Sequence, residues 1–539
     1  MSPTSCQTAP PRIRARYCRH TVRTIQARRA KRTQTARFGG GGRAGKKGSN
    51  YTKSASEQSL THAKECAAMK IRISALAGAI AIAPSVAAAS LPLLDRDFAQ
   101  DGVSVLPRID APVRQASLRT VRVDADGSIF LAGTQTRDGV PLPYVDKLTP
   151  QGVPDTSFGI GGRFALPLDS ATYPWGAELG DIVVLPGGRI AFASGVLGTG
   201  EQLTSTSLIG MIGADGSLDP GFAAGAGYAR FDFGPLSTQP AGTPYVGSLI
   251  ADAQQHLLLT APTGQPAAAV ARFRPDGGLD TSYATNGVAW LPAPTTSRRL
   301  RLDAAGRLLI AGTTRTADAA PRLALARLLP DGALDTGFDG GLVTLDGAAS
   351  ASDVLGVGSL ELDRAGRPVV GHEFVSTVSL SFSLDVARFT PTGTVDARFN
   401  AAAQQPGRPG LARLVDDAAL LSGTFAMPTA DRRIVVLGAA DTFSGPAGLA
   451  FVRLRDDAST DPTFPTGTQG PAHLMPVLGT DGNADRIAGV DADGRGGLIV
   501  AGQSSGPAGT CHFVLRLIGD RLFADGQDPG DRPSSCPAP

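Results

Sequence analysis

Leu334-Asp335-Thr336-Gly337-Phe338 is followed by GLVTL at 341–345, SLELD at 359–363, GRPVVGH at 366–372, and Val386-Ala387-Arg388-Phe389 ahead of Pro391-Thr392-Gly393. Each run is too short for a helix, is bounded by turn residues, and is largely apolar on successive positions. Those features predict strands buried on both faces. The opening aspartate is placed to bond nearby backbone N–H groups and fix a turn, and Phe338 is a large apolar residue at the turn's end.

The same marker recurs along the chain. Asp95, Asp155, Asp219, Asp280, Asp335, Asp396 and Asp461 are each followed three residues on by Phe or, once, by Tyr283. Successive markers stand 60, 64, 61, 55, 61 and 65 residues apart. Within the units, GSIFLAG (127–133), GRIAFASG (188–195), GRLLIAG (306–312) and GGLIVAG (496–502) repeat the central strand. The sixth unit matches least well, with a blurred first strand near Ala412–Val415.

Seven units of four short antiparallel strands predict an all-β, seven-bladed β-propeller over 90–520. A lone four-stranded sheet cannot bury both faces, so the units must stack, with the marker aromatic as the wedge between blades. β-Helix coils are much shorter than sixty residues, and an open stack leaves edges exposed, which argues for a ring. Closure is expected between strands near the N-terminus and Phe513–Leu517. The alternation of apolar residues with Arg in the third strands suggests one face more open than the other.

With Asp155-Thr156-Ser157-Phe158-Gly159 as its best copy, the motif resembles the delta-60 repeat family of secreted and surface bacterial proteins. That resemblance spans about 94–520. It implies the fold and leaves activity undefined.

The net charge of +3 averages two unlike regions. Residues 1–68 hold 15 Lys or Arg against Glu57 and Glu65, and are expected to be an upstream basic extension. Met69-Lys70-Ile71-Arg72, an apolar run from Ile73 to Val86 and Ala87-Ala88-Ala89 have the order of a secretory signal peptide, 69–89. Beyond residue 89 there are 34 basic and 46 acidic residues, with Lys147 the single lysine, so nucleic acid is not an expected partner. No later stretch has the length of a membrane span. The expected location is secreted or periplasmic, with 521–539 as a tail. In an oxidising compartment, the two cysteines left after residue 89, Cys511 and Cys536, are expected to form a disulfide.

Chemistry is sparse in the sequence. The turns Asp124-Ala125-Asp126-Gly127 and Asp491-Ala492-Asp493-Gly494 admit a calcium reading, yet other copies lose an acid while the turn persists, as in Asp303-Ala304-Ala305-Gly306. That pattern favours hairpin turns over an ion cage. His256, His372, His473 and His512 form no metal-spaced cluster, and no cofactor motif is present. Candidate ligand-facing residues are Tyr173 and Trp175 in the loop 169–179, and His372, which fills a slot usually held by Gly; Trp290 reads as core. The function expected is a binding or scaffold propeller with its ligand at a channel mouth. The alternative is a propeller lyase or hydrolase, which requires charged groups from several blades to converge.

Overall fold

Short apolar runs separated by two- to five-residue turns pair with their chain neighbours, and here they do so seven times. In the computed structural model the described residues are 94–517, apart from 101, 107–112, 170, 197–203, 236–246, 262–267, 293–295, 316–319, 347–352, 377–380, 403–406, 415–418, 443–447, 463–472, 476–483 and 507–508. They build seven antiparallel sheets, six of four strands and one of five. The chain is a seven-bladed β-propeller.

Blade and sequence unit are out of phase by one strand. The strand that follows each marker closes the blade before it. Val288–Trp290 therefore pairs with Ala269–Phe273 as the outer strand of blade 3, while Arg299–Leu302 opens blade 4. Leu411–Leu414, in the blurred sixth unit, is the outer strand of blade 5, extended by the two-residue strand Gly407–Arg408. The first strand of the chain, Val103–Leu106, has no earlier blade to close. It pairs with Gly509–Leu517 in blade 7, Val103 opposite Leu515, and so shuts the ring.

The core is divided among the blade interfaces. Seven apolar clusters each draw on two neighbouring blades; the one joining blades 7 and 1 combines Phe98, Ile129 and Leu131 with Ile499 and Val514. The marker aromatic is the wedge in each described case. Phe98, Phe222, Tyr283 and Phe338 are buried, each against a turn glycine of the next blade: Gly152, Gly277, Gly332 and Gly393. A Cβ at Gly332 would stand 2.8 Å from the Tyr283 ring, and its φ of +90° already demands glycine.

The marker aspartate holds this wedge in place. Asp335 accepts the Gly337 amide at 3.0 Å and the Arg327 Nε at 2.7 Å, while the Arg327 guanidinium lies 4.4 Å above the Phe338 ring. Arg388 with Asp396 and Phe399, and Arg272 with Asp280 and Tyr283, repeat the arrangement. This corrects the expectation of an open face on the third strands. Arg327, Arg388, Arg453 and Arg516 are buried, because the marker carboxylate, joined by an aromatic face at Arg327, Arg388 and Arg516, replaces the water each guanidinium loses.

Trp290 also departs from expectation. It is 46% exposed, because in the outer strand the buried side belongs to Ala289 and Trp290 faces the rim.

Candidate functional site in the central channel

The inner strand of every blade faces the ring axis, and there the repeat stops being apolar. Five inner strands break register at one level: between Leu118 and Thr120, Leu179 and Asp181, Val357 and Ser359, Ser422 and Phe425, and Ile487 and Gly489. Such a bulge re-aims side chains and backbone groups. It also explains the glycine in the middle of these central strands. A Cβ at Gly133 would stand 2.0 Å from the Ser117 carbonyl oxygen, and one at Gly502 would stand 2.2 Å from that of Arg486.

The bulged strands surround a channel space of about 410 Å³ lined by all seven blades. Four arginines enter it, Arg119 and Arg122 from blade 1 and Arg299 and Arg301 from blade 4. Three acids face them, Asp181 from blade 2, Glu361 from blade 5 and Asp491 from blade 7.

Some of these groups tie blades together. Asp181 accepts Arg122 Nη2 at 2.6 Å, its own neighbour's amide at Ile182, and both Ser248 Oγ and the Leu249 amide of blade 3 at 3.1 Å. Arg299 Nε donates to the Gly358 carbonyl at 2.6 Å, joining blades 4 and 5. Asp491 accepts the Val123 amide at 2.9 Å across the closing interface.

Others keep exposed ends. Arg301 lies 3.0 Å from Glu361 with about half of its side chain exposed, and Glu361 retains a fifth. Burial pushes the Glu361 carboxyl pKa up, opposed first by Arg301, with Asp491 adding to the rise. Burial likewise raises Asp491, against the pull of Arg122. Burial works to lower the Arg122 pKa, but the attraction of Asp181, Asp491 and Glu361 outweighs it and holds that pKa above its ordinary value. The channel is thus a shared field of charges, with its guanidinium forks shaped to receive planar oxyanions.

The residues singled out in the sequence lie elsewhere. Tyr173 is buried in the interface of blades 1 and 2, and burial raises its phenol pKa; its loop is closed by Asp169, which accepts the Ala171 and Thr172 amides. Trp175, two residues on, is 53% exposed. His372 is 1% exposed within blade 5, with neither ring nitrogen hydrogen-bonded. Burial lowers its pKa, only partly opposed by Asp385. Its imidazole is therefore not presented at a mouth of the ring.

His256 Nδ1 lies 2.8 Å from Asp252 inside a central turn. The other central turns are built alike: Asp303 accepts the Ala305 and Arg307 amides, and Asp493 those of Arg495 and Gly497. Turn formation accounts for these acids, and no group of three metal-binding side chains occurs among the described residues. Cys511 is buried; Cys536 lies outside the described residues.

The family model described as "Domain of unknown function (DUF5122) beta-propeller" matches residues 125–158, 306–338 and 429–464. Each match runs from a central turn to a marker aromatic. No curated protein matches.

Among solved structures, a protein of unknown function from Dyadobacter fermentans is 12% identical with a TM-score of 0.40, covering 77% of this chain and 99% of its own. A PL25 ulvan lyase bound to -[GlcA(1-4)Rha3S]- is 11% identical at a TM-score of 0.45, covering 79% and 96%. The β-propeller domain of the Trilobed protease from Pyrococcus furiosus is 11% identical at 0.39, covering 78% and 98%.

Proposed function

We propose that this chain is an exported binding module that takes a small, polar, anionic ligand into the central channel and releases it unchanged. One observation carries the reading: guanidinium groups from two blades and carboxylates from three converge on one space of about 410 Å³. The side chain free to meet a ligand is Arg301, half exposed and paired on one side by Glu361. A carboxylate, sulfate or phosphate entering there replaces water at a preorganised fork, at little ordering cost. The export pattern at 69–89 supports a site outside the cytoplasm.

A lyase or hydrolase reading has one observation in its favour. Glu361 and Asp491 both have raised pKa values, and Asp491 adds to the rise at Glu361, as a neighbouring carboxylate does in acid–base sites. Against it, the channel lining contains no histidine, lysine or cysteine among the described residues, and each acid is faced by arginine.

The test is calorimetric titration with uronic acids, sulfated sugars and short dicarboxylates, on wild type and Arg301→Ala. Binding lost in Arg301→Ala, with the anion recovered intact, supports the proposal. Turnover abolished by Glu361→Gln establishes the rival. Absence of any binding refutes both.

A further inference from the structure

The repeat supplies its own control for a second cavity. In blades 2, 4, 5 and 6 the residue closing the central turn is arginine, and it reaches the marker aspartate of its own blade. Arg189 stands 3.4 Å from Asp219, Arg307 4.0 Å from Asp335, Arg367 3.4 Å from Asp396 and Arg433 2.6 Å from Asp461. Blade 3 carries His256 at this position. Its imidazole stays with Asp252 at 2.8 Å and is too short to reach across to Asp280 as arginine does. A cavity of about 480 Å³ opens there, between the central turns of blades 3 and 4.

The same cavity is lined by Tyr283, the one tyrosine among seven marker aromatics. Its ring is 1% exposed, and its hydroxyl has no hydrogen-bond partner. Burial pushes the pKa far up, so the group is a neutral phenol. A buried hydroxyl left unbonded is costly, whereas phenylalanine fills the equivalent wedge at Phe98, Phe158, Phe222, Phe338 and Phe399. Blades 1 and 7 also lack the arginine, with Ser128 and Gly497 in its place, but blade 3 alone adds the marker tyrosine, and it lines one cavity with His256.

The lining fixes the class of ligand. Leu258, Leu302, Leu308 and Pro330 offer an apolar wall, and Tyr283, His256 and Gln254 offer uncharged hydrogen-bonding groups. The charges present are already matched: Asp252 with His256, Asp303 with Arg307, and Arg272 with Asp280 and the Pro330 carbonyl. A charged guest gains no counter-ion there. A ring with one apolar face and hydroxyls around its edge satisfies the wall and the orphan phenol together. We infer a second binding site, separate from the channel, for a neutral pyranose.

The test uses saturation-transfer NMR with methyl β-D-glucopyranoside, methyl β-D-galactopyranoside and methyl α-D-mannopyranoside at millimolar concentration. His256→Arg and Tyr283→Phe install residues that other blades already carry, and thermal melts establish that each variant folds. The expected result is transfer to at least one glycoside, lost in His256→Arg as the guanidinium fills the cavity. Tyr283→Phe should weaken it about tenfold, the equivalent of about 1.4 kcal/mol, and Arg301→Ala in the channel should leave it unchanged. Should His256→Arg fail to fold, Tyr283→Phe decides. No transfer to any of the three, transfer unchanged in a folded variant, or loss in Arg301→Ala overturns the inference.

Discussion

Replacing Arg327 by methionine tests whether the buried arginines of the third strands hold the blades together. The Arg327 side chain is 6% exposed and that of Asp335 is 12% exposed. The guanidinium binds Asp335 at 2.7 Å, donates to the Pro391 carbonyl of blade 5 at 2.8 Å, and covers Phe338. Methionine keeps most of the apolar stem but leaves Asp335 buried, with Arg307 at 4.0 Å as its remaining cation. Stranding one member of a buried pair costs about 3 kcal/mol. If the ring melts as one unit of roughly 420 residues, an unfolding entropy of about 2.1 cal/mol/K per residue turns this into a Tm drop of about 3 °C.

Arg327→Met/Asp335→Asn removes both charges while the asparagine oxygen still caps the Gly337 amide. It should recover about two-thirds of the loss, the remainder reflecting the bond to Pro391 (about 1 kcal/mol). Urea unfolding of wild type, both single variants and the double variant closes the cycle. A neutral Arg327→Met, or a double variant no better than the worse single, would falsify the account.

Acid should destabilise the fold through its buried histidines. Burial lowers the pKa of both His372 and His512, so below the unfolded value of about 6.5 the unfolded chain binds protons that the fold refuses, and Tm falls as pH drops from 7 toward 5. A double substitution to phenylalanine should flatten that slope; an unchanged slope refutes it. Gly332→Ala should lower Tm by several degrees, since its Cβ meets the Tyr283 ring and its φ is positive, whereas Gly366→Ala, where nothing lies within 4 Å, should cost only its backbone strain. Deleting residues 90–110 removes the outer strand of blade 7 and should abolish cooperative unfolding, as read by calorimetry. Cys511 should pair with Cys536, stabilising by about 3 kcal/mol; peptide mapping that finds both thiols free refutes the pairing.

Much of the scaffold was legible because its chemistry recurs. The marker aspartate, the marker aromatic and the turn glycines sit at fixed offsets and repeat one task at the described interfaces, and Phe513–Leu517 closes the ring as the strand pattern implies. The phase of the blades was not legible, because a strand's partner depends on which side of the marker it folds to. The buried third-strand arginines misled for a different reason. Apolar residues alternating with arginine look the same whether the cation meets water or a carboxylate from the next turn.

The channel was hidden in plain residues. Glu361 stands in SLELD, read as a strand from the sequence, and Arg122 and Asp181 stand in its counterparts TVRVD (120–124) and DIVVL (181–185). A charged residue inside an otherwise apolar strand, at a position the other blades fill differently, was the available signal. Tyr173, chosen for its place in a long loop, and His372, chosen for filling a slot usually held by Gly, are both buried.

A repeated fold separates structural work from other work, because whatever the ring requires must appear at every interface. Aspartates that cap central turns and arginines that reach markers recur, so stability accounts for them. The channel charges do not recur: blade 1 contributes Arg122, blade 5 contributes Glu361, and blade 6 contributes Phe425 and Met427. Ring closure alone needs no such asymmetry, since packed apolar inner strands would meet it without burying charge. Part of the asymmetry is spent on blade-to-blade bonds, as at Asp181. Arg301 and Glu361 pair at 3.0 Å across blades 4 and 5, yet both are left partly exposed to the channel. His256 and Tyr283 are departures of the same kind, one shortening a side chain and one adding a hydroxyl, and neither improves the packing of blade 3. Where a repeat gives up its own solution without a gain in packing, the position is answering to something outside the fold.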